Sequence, residues 1–278
     1  MIDITNLSFK YSRKKFLFEN LNLQLEQGHI FGLLGKNGAG KSTLLKHIAG
    51  LLKPQQGKCS VFNYEAGDRS PEMLEDIFLI PEEFELPAQR LALYVKRNSV
   101  FYPKYSEDQF LKYLQEFELS TDIILSKLSY GQKKKFLLAF GLACNARVLI
   151  LDEPTNGLDI PSKSQFRKII AMAMNEEKII IISTHQVRDL ESMIDYIIVL
   201  EKGEIIFKKD IGQISEKLRF EHQIGEQVQE EILYEEEVLG RRAGILKNKS
   251  GMETRVDLEL LFNGLIQNSS KINSYFNN

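Results

Sequence analysis

A glycine-rich segment near the N-terminal end has the residue types that bind phosphate groups. Residues 35–42 read GKNGAGKS and match the pattern G-x-x-x-x-G-K-[ST]. A short apolar run, HIFGLLG, leads into this segment, and an amphipathic helical stretch follows it. Glycines let backbone N–H groups converge on phosphate oxygens, and the helix presents the positive end of its dipole. The segment therefore predicts a phosphate-binding loop, with Lys41 at the β- and γ-phosphates and Ser42 at a Mg²⁺ ion.

Two carboxylates follow a second apolar run further along the chain. Residues 148–151 read VLIL, and Asp152 and Glu153 come directly after them. One carboxylate near the phosphates can hold Mg²⁺, and a second one residue later can polarise an attacking water. Such a pair often marks only the solvated start of a loop, but the phosphate-binding loop favours the chemical interpretation. We therefore assign Asp152 to Mg²⁺ and Glu153 to the general base.

Two other positions have both a structural and a chemical interpretation. Ser129 and Gln132 have the S-x-x-Q spacing of a helix capping box, and with the bare Gly131 the same helix end is also an anion site. His185 follows the apolar run KIIIIST. It is either a satisfied histidine at a strand end or, because ligands collect at the carboxyl ends of parallel strands, a γ-phosphate contact. The phosphate-binding loop favours the chemical interpretation of both positions.

The elements that must position these residues follow from the hydrophobic periodicity. The apolar segments VLILDE and KIIIIST alternate with helical patterns, which is typical of a parallel sheet covered on both faces. Ser106 and Gln109 form a capping box that opens an amphipathic stretch, and we predict a helical insert over about 86–140. After residue 211 the composition becomes acidic. We predict a first domain over 1–211 and a small C-terminal appendage over 212–278.

Composition and charge argue against several classes of protein. The 278 residues include 36 Lys and Arg against 38 Asp and Glu, so a net charge of -2 provides no bulk positive field for nucleic acid. Cys59 and Cys144 have no C-x-x-C partner, which argues against a zinc cluster and a disulfide framework. The apolar runs are far shorter than the roughly 18 to 20 residues of a membrane helix, and the N-terminus lacks the pattern of a secretion signal. We therefore expect a cytoplasmic protein without a nucleic-acid partner. We also expect the lysines at residues 133–135 to form a solvated basic face.

Six motifs in order resemble those of the ATP-binding cassette (ABC) ATPases, specifically the nucleotide-binding subunits of membrane transporters. The resemblance extends over roughly residues 2–209. GKNGAGKS is similar to the Walker A loop, VLILDE to the Walker B strand and LSYGQ, at 128–132, to the signature. NGLD, at 156–159, is similar to the D-loop, STH to the segment of the switch histidine, and Tyr11 to the A-loop aromatic residue.

The resemblance implies an α/β fold: a P-loop NTPase with a RecA-like core, an antiparallel β subdomain and a helical insert, followed by the small C-terminal appendage. It implies that the cofactors are ATP and Mg²⁺. The ATP would lie between the Walker A loop of one subunit and the signature of another, in a head-to-tail dimer with a second copy or a paralogous ATPase subunit. Integral membrane permease subunits would hold the protein peripherally on the inner face of the cell membrane.

The resemblance also implies roles for individual residues. The catalytic residues would be Glu153, His185 and Lys41. ATP would be bound by Tyr11, Gly35, Lys36, Asn37, Gly38, Ala39, Gly40, Lys41, Ser42 and Thr43. The signature residues that act in trans would be Ser129, Gly131 and Gln132, and Asp159 of the D-loop would report across the interface. The metal ligands would be Ser42, Asp152 and Glu82.

Two residues depart from the family pattern. Tyr130 stands at a glycine position of the signature, and Glu82, in FLIPEE, stands where the family usually has glutamine. A carboxylate can still bind Mg²⁺, although its charge differs from that of an amide.

We expect the protein to hydrolyse ATP and thereby to power a transporter. We expect this transporter to export its substrate. The alternatives are a soluble ABC ATPase without a membrane partner and a module that senses ATP without turning it over. A single phosphate-binding loop and the lack of a long coiled-coil insertion weigh against the ribosomal and DNA-repair classes. Glu153 weighs against the sensor.

Overall fold

The computed structural model describes residues 1–12, 15–187, 191–225, 231–238, 240–249 and 254–276. Within these residues the strands, in chain order, are β1 (Ile2–Phe9), β2 (Phe18–Leu25), β3 (His29–Leu34), β4 (Gln56–Val61), β5 (Tyr64–Glu65), β6 (Ile77–Ile80), β7 (Val148–Asp152), β8 (Ile179–Thr184), β9 (Tyr196–Glu201), β10 (Glu204–Asp210), β11 (Leu218–Glu221), β12 (Ile232–Val238) and β13 (Arg241–Lys247). The helices are α1 (Lys41–Ile48), α2 (Pro71–Leu74), α3 (Leu91–Asn98), α4 (Glu107–Glu116), α5 (Tyr130–Ala143), α6 (Ile160–Ala173), α7 (Ile211–Lys217) and α8 (Leu258–Asn273).

A six-stranded sheet in the order β10-β9-β3-β8-β7-β6 forms the centre of the fold. Its strands from β9 to β6 run parallel, and β10 pairs antiparallel with β9 at the edge. All residues of β7 and β8 are buried, because helices and a second sheet cover both faces, as the continuous apolar runs predict. In the register of β7 and β8, Asp152 lies opposite Ser183. The carboxyl ends of these strands therefore bring the predicted Walker B and switch segments together.

The N-terminal part forms the predicted antiparallel sheet, in the order β2-β1-β4-β5. The alternation in LNLQL appears as buried Leu21, Leu23 and Leu25 separated by exposed polar residues. These leucines belong to one hydrophobic core with α1 and with one face of the central sheet. This packing supports the start of α1, where the phosphate-binding loop ends.

The helices α3 and α4 lie within the helical insert predicted over about 86–140, and α5 begins in it and ends three residues beyond it, at Ala143. Ser106 caps α4, since its hydroxyl accepts a hydrogen bond from the backbone N–H of Gln109 at 3.3 Å. The apolar stripes of α4 and α5 meet at Phe110, Phe136 and Phe140, which are almost fully buried. The insert therefore has an aromatic core, and α5 presents its first turn near the predicted catalytic strands.

The C-terminal part forms a small antiparallel sheet in the order β11-β13-β12, with α8 packed against it. Asn273 of α8 donates a hydrogen bond to the carbonyl of Ile206 at 2.8 Å, and the rings of Phe207 and Phe276 lie 5.4 Å apart. These contacts attach the tail to β10. Part of the acidic stretch, residues 226–230, lies outside the described residues. The boundaries of the domains stay predictions.

Candidate active site

A cavity of about 520 Å³ lies at the carboxyl ends of β3, β7 and β8. It is lined by Tyr11, Leu17, Lys36, Asn37, Gly38, Gly40, Lys41, Ser42, Thr43, Glu82, Asp152, Glu153 and His185. Every lining residue except Leu17 is a predicted site residue. Leu17 has no chemical signature in the sequence, because an apolar residue before a strand usually belongs to a core. Gly35 and Ala39 belong to the same loop, and Ala39 is buried behind it.

The glycine-rich loop requires two of its glycines for different reasons. Gly38, with φ of 80°, has a left-handed backbone that side chains with a Cβ rarely adopt. Gly40, with φ of 111°, is the N-cap of α1, and a Cβ there would lie 2.8 Å from the ring of Phe18. The loop therefore turns sharply before Lys41 and directs the N-terminal end of α1 into the cavity, which is the geometry of an anion site.

The ammonium of Lys41 is buried inside this loop. Its Nζ donates a hydrogen bond to the carbonyl of Gly35 at 2.7 Å and lies 3.8 Å from Oε1 of Glu153. Burial lowers the pKa of Lys41, and the neighbouring carboxylate of Glu153 opposes this effect. The positive charge of Lys41 thus stands between the phosphate-binding loop and the predicted general base.

Glu153 is held at its backbone and at both carboxylate oxygens. Its φ of 47° is left-handed, and its backbone N–H donates to the carbonyl of Ser183 at 3.1 Å. Nδ1 of His185 lies 2.8 Å from Oε1, and the hydroxyl of Thr184 donates to Oε2 at 3.1 Å. The side chain of Glu153 is almost completely buried, whereas that of His185 is 39% exposed. The carboxylate therefore has one orientation, beside Lys41 and His185.

The predicted metal ligands Ser42, Asp152 and Glu82 all line the cavity. The hydroxyl of Ser183 donates to Oδ1 of Asp152, and Oε1 of Glu82 accepts from the amide of Asn156 at 3.2 Å. Among the described residues there is no group of three or more acidic, histidine or cysteine side chains that could hold a metal ion. A hydroxyl and two carboxylates fit Mg²⁺, which prefers oxygen ligands and takes the rest from phosphates and water.

The predicted signature and D-loop residues do not line this cavity. Ser129 and Gln132 form the capping box of α5: the Ser129 hydroxyl accepts from the Gln132 N–H at 3.2 Å, and Oε1 of Gln132 accepts from the Ser129 N–H at 3.0 Å. Gly131 lies in the same turn. Asp159 caps α6 by accepting from the N–H of Ser162 at 2.9 Å, and hydrogen bonding with Ser162 lowers its pKa. The predicted capping box of Ser129 and Gln132 is thus confirmed, and Asp159 is a helix cap as well.

The expectation of a solvated basic face at residues 133–135 is wrong for Lys134. This side chain is 1% exposed, and its Nζ donates to the carbonyls of Glu153 at 2.6 Å and Asn156 at 2.9 Å. Burial lowers the pKa of Lys134 to about 8. The sequence carries no signal for this role, because a run of three lysines is usually a solvated surface.

A comparison with protein families gives a match to the ABC transporter family over residues 18–156. The chain belongs to the ABC transporter family. More specifically, it is an ABC ATPase with a single nucleotide-binding domain, the ATP-binding subunit of a transporter. The resemblance inferred from the six motifs is confirmed.

Three relatives illustrate this membership. The uncharacterized ABC transporter ATP-binding protein MJ1023 of Methanocaldococcus jannaschii is 30% identical, over 94% of this chain and 97% of its own. The bacitracin transport ATP-binding protein BcrA of Bacillus licheniformis is 29% identical, over 85% and 79%. The Nod factor export ATP-binding protein I of Neorhizobium galegae is 31% identical, over 74% of this chain and 60% of its own.

Solved structures confirm the predicted fold class. An ATP-binding subunit of an ABC transporter has a TM-score of 0.70 at 25% identity, covering 77% of this chain and 91% of its own. The cassette MJ0796, whose structure is dimeric, has a TM-score of 0.66 at 24% identity over 76% and 98%. CbiO1 of Clostridium perfringens, a part of the ABC transporter complex cbiONQ, has a TM-score of 0.64 at 28% identity over 77% and 89%.

Proposed function

We propose that this ABC ATPase hydrolyses ATP at the cavity described above and thereby drives export through permease subunits that are separate chains. One observation carries the proposal: the buried carboxylate of Glu153 lies within 3.8 Å of Lys41 and 2.8 Å of His185, at the end of the phosphate-binding loop. A general base, a phosphate-binding cation and a hydrogen-bond donor stand together there, which is the set that phosphoryl transfer to water needs.

In the proposed reaction, Glu153 accepts a proton from a water molecule as the water oxygen attacks the γ-phosphorus. The bond from the γ-phosphorus to the bridging oxygen breaks, and ADP and inorganic phosphate form. Lys41 and His185 stabilise the charge that develops on the γ-phosphate oxygens. Mg²⁺, held by Ser42, Asp152 and Glu82, would neutralise phosphate charge. We assign Tyr11 to the adenine, and the assignment is supported by its 65% exposure and by its hydroxyl, which lies 3.0 Å from that of Thr43 in the phosphate-binding segment.

We assign the signature residues Ser129, Gly131 and Gln132 to the ATP of a second subunit. The assignment is supported by their position outside the cavity of their own chain and by the amide-rich helix end that they form. Asp159 would lie at the same interface. The partner would be a second copy or a paralogous subunit, in a head-to-tail dimer.

An apolar groove lined in part by β6 is the surface that we assign to the permease. The groove, of about 790 Å³, is lined among others by Leu51, Phe78, Val100 and Phe101. Val100 and Phe101 are 72% and 69% exposed, which is unusual for large apolar residues without a partner. Residues 77–79 of β6 form part of its wall, and the chain continues from β6 to Glu82 of the cavity. A helical segment of the permease in this groove would therefore contact the strand that leads to Glu82 of the nucleotide site.

The proposal also includes the location of the protein in the cell and the direction in which the substrate is transported. None of the helices in the described ranges is long and apolar enough to cross a bilayer. We infer that the chain is peripheral on the inner face of the cell membrane, held there by its permease. Export is supported by the relatives that are named for Nod factor export and bacitracin transport.

Phosphate release from ATP tests the hydrolysis. The Glu153→Gln variant should lose at least about a hundredfold in rate, because the amide cannot accept the proton. It should still bind ATP and should elute as a dimer in the presence of ATP. The control is Glu83→Gln, which makes the same change at an exposed neighbour of Glu82. Equal rates in the wild type and Glu153→Gln would refute the proposed role of Glu153.

Co-purification in detergent tests the permease and separates the transporter from an ABC ATPase without a membrane partner. The wild type should retain a protein with membrane-length helices, and Phe101→Asp should lose it because a carboxylate would be buried in the contact. Leu111→Asp, which introduces the same charge at an exposed position of α4, should retain it. If neither the wild type nor the control retains such a protein, the proposed membrane partner is wrong.

A further inference from the structure

Lys134 connects the signature helix to the segment that carries the catalytic glutamate. It lies in the second turn of α5, and its side chain passes inward to the residues that follow β7. There its Nζ donates to the carbonyl oxygens of Glu153 and Asn156, at 2.6 and 2.9 Å. The ring of Tyr130 lies 5.3 Å from the same Nζ and covers one side of it. Burial of an ammonium costs free energy unless its N–H groups find acceptors, and the two carbonyl oxygens are acceptors of this kind.

The two carbonyls belong to the turn that sets the position of the Glu153 carboxylate. The N–H of Asn156 also donates to the Glu153 carbonyl, at 3.3 Å, so this oxygen accepts from both sides of the turn. The left-handed φ of 47° at Glu153 is unfavourable for a residue with a Cβ and persists only where the surroundings enforce it. The Ser183 carbonyl binds the N–H of Glu153, and Lys134 binds its carbonyl, so the peptide units on both sides of the Cα are held.

The charges around Lys134 are consistent with this arrangement. The carboxylates of Glu82, Glu153 and Asp152 all act on the ammonium and oppose the effect of burial on its pKa. None of these carboxylates is its hydrogen-bond acceptor, because both described bonds go to backbone oxygens. The side chain thus binds backbone and leaves the carboxylate of Glu153 to its contacts with His185 and Thr184.

We propose that Lys134 is a positioning residue for ATP hydrolysis, which fixes the backbone of Glu153 from the signature helix of the same chain. The proposal rests on the proposed function of Glu153 as general base. It also has a consequence for the proposed dimer, since Ser129, at the N-cap of α5, would contact one ATP while Lys134 orients the base for the other. Each chain therefore links the two nucleotide sites through a single rigid helix.

Two substitutions of different severity test the proposal, with a control on the same helix. Lys134→Met keeps an unbranched chain of similar length and removes all donors, whereas Lys134→Gln keeps a neutral amide donor. The control is Lys133→Met, the same substitution one residue earlier, where the side chain is only half-buried. For each variant, ATP affinity is measured by equilibrium binding, and kcat and KM are measured by phosphate release, after thermal unfolding has shown that the protein is folded.

We expect Lys134→Met to lower kcat by roughly ten- to a hundredfold, because a misplaced base loses its alignment with the attacking water. ATP affinity should stay within about twofold of the wild type, since the phosphate-binding loop is unchanged. Lys134→Gln should have an intermediate kcat, and Lys133→Met should match the wild type.

The possible outcomes separate this proposal from the proposed function. A wild type without hydrolysis would refute the proposed function itself. An active wild type with an unchanged kcat in Lys134→Met would refute only the role of Lys134. A parallel loss of ATP affinity and kcat in the variants would also refute it, because that pattern indicates general damage to the site. If Lys134→Met fails to fold, the kcat and affinity of Lys134→Gln decide by the same criteria.

Discussion

The hydroxyl of Tyr130 donates a hydrogen bond to the backbone carbonyl of Glu82. These two residues are the ones that depart from the motifs of the ABC ATPases, and they lie 48 positions apart in the chain. The ring of Tyr130 also stacks on that of Phe84, with centroids 5.6 Å apart and planes at 21°. The tip of the signature helix is therefore attached to the segment that joins the apolar groove to the nucleotide cavity. A glycine at position 130 could not make this contact, whereas any residue at position 82 would supply the backbone carbonyl that accepts the hydrogen bond.

Substitution of Tyr130 should reveal the strength of this contact. Tyr130→Phe removes the hydrogen bond and keeps the stacking, so we expect the free energy of unfolding to fall by about 1 kcal/mol. Tyr130→Gly also removes the ring and adds a glycine to the first turn of α5, which should cost about 1 to 2 kcal/mol more. Urea denaturation measures both changes. An unfolding free energy of Tyr130→Phe that equals the wild-type value would mean that the hydrogen bond contributes nothing.

Glu82→Gln should change the dependence of hydrolysis on Mg²⁺. The amide can still accept the hydrogen bond from Asn156, but it carries no negative charge. We expect the Mg²⁺ concentration for half-maximal activity to rise several-fold, with a smaller effect on the maximal rate. Phosphate release at a series of Mg²⁺ concentrations measures this shift, with Glu83→Gln as the control. If both variants follow the wild-type curve, Glu82 is not a metal ligand.

His185→Ala should lower kcat strongly and ATP affinity little. The substitution removes the ring nitrogen that lies 2.8 Å from Glu153 and the proposed donor to the γ-phosphate. Loss of one such donor typically reduces kcat by about a hundred- to a thousandfold. Steady-state phosphate release gives kcat, and His222→Ala, a change at a largely exposed histidine of the tail, is the control. A decrease of less than about fivefold would argue against a direct role of His185 in the reaction.

His47 should make stability depend on pH below neutrality. Its ring is fully buried against Phe9, Nδ1 lies 3.1 Å from the carbonyl of Leu52, and Nε2 has no hydrogen-bond partner within the described part of the chain. Burial lowers the pKa of His47 below its usual 6.5. Because the unfolded chain then binds more protons than the folded chain, stability falls as the pH decreases through 6.5 toward the folded pKa.

His47→Asn tests this linkage, because the asparagine amide can replace the Nδ1 donor without titrating. Denaturation at pH 7.5 and 5.5 should show a loss of stability in the wild type that is smaller in the variant. The variant should be less stable than the wild type at pH 7.5, since it fills less of the space beside Phe9. If acidification destabilises both proteins equally, the titration of His47 does not contribute.

The phosphate-binding loop and the two apolar strands could be predicted from the sequence because their determinants are local. Spaced glycines between an apolar run and an amphipathic stretch favour a loop, and a continuous apolar run of strand length favours a strand that is buried on both faces. Since parallel strands place their carboxyl ends at one edge of a sheet, Asp152, Glu153 and His185 could be expected near Lys41. The family and its fold class followed from these motifs.

Other features depend on which distant segments of the chain pack together, and no local sequence pattern indicates this. The lysines at 133–135 have the same side chain, and only the packing of α5 against the turn after β7 makes Lys134 buried and paired. The cavity contact of Leu17 and the bond between Tyr130 and Glu82 arise in the same way, from segments that meet only in the folded chain. Residue type and spacing thus determined which chemistry the chain can carry out. Tertiary packing decided which of several equivalent side chains hold that chemistry in place, because burial and hydrogen-bond partners are properties of the assembled fold.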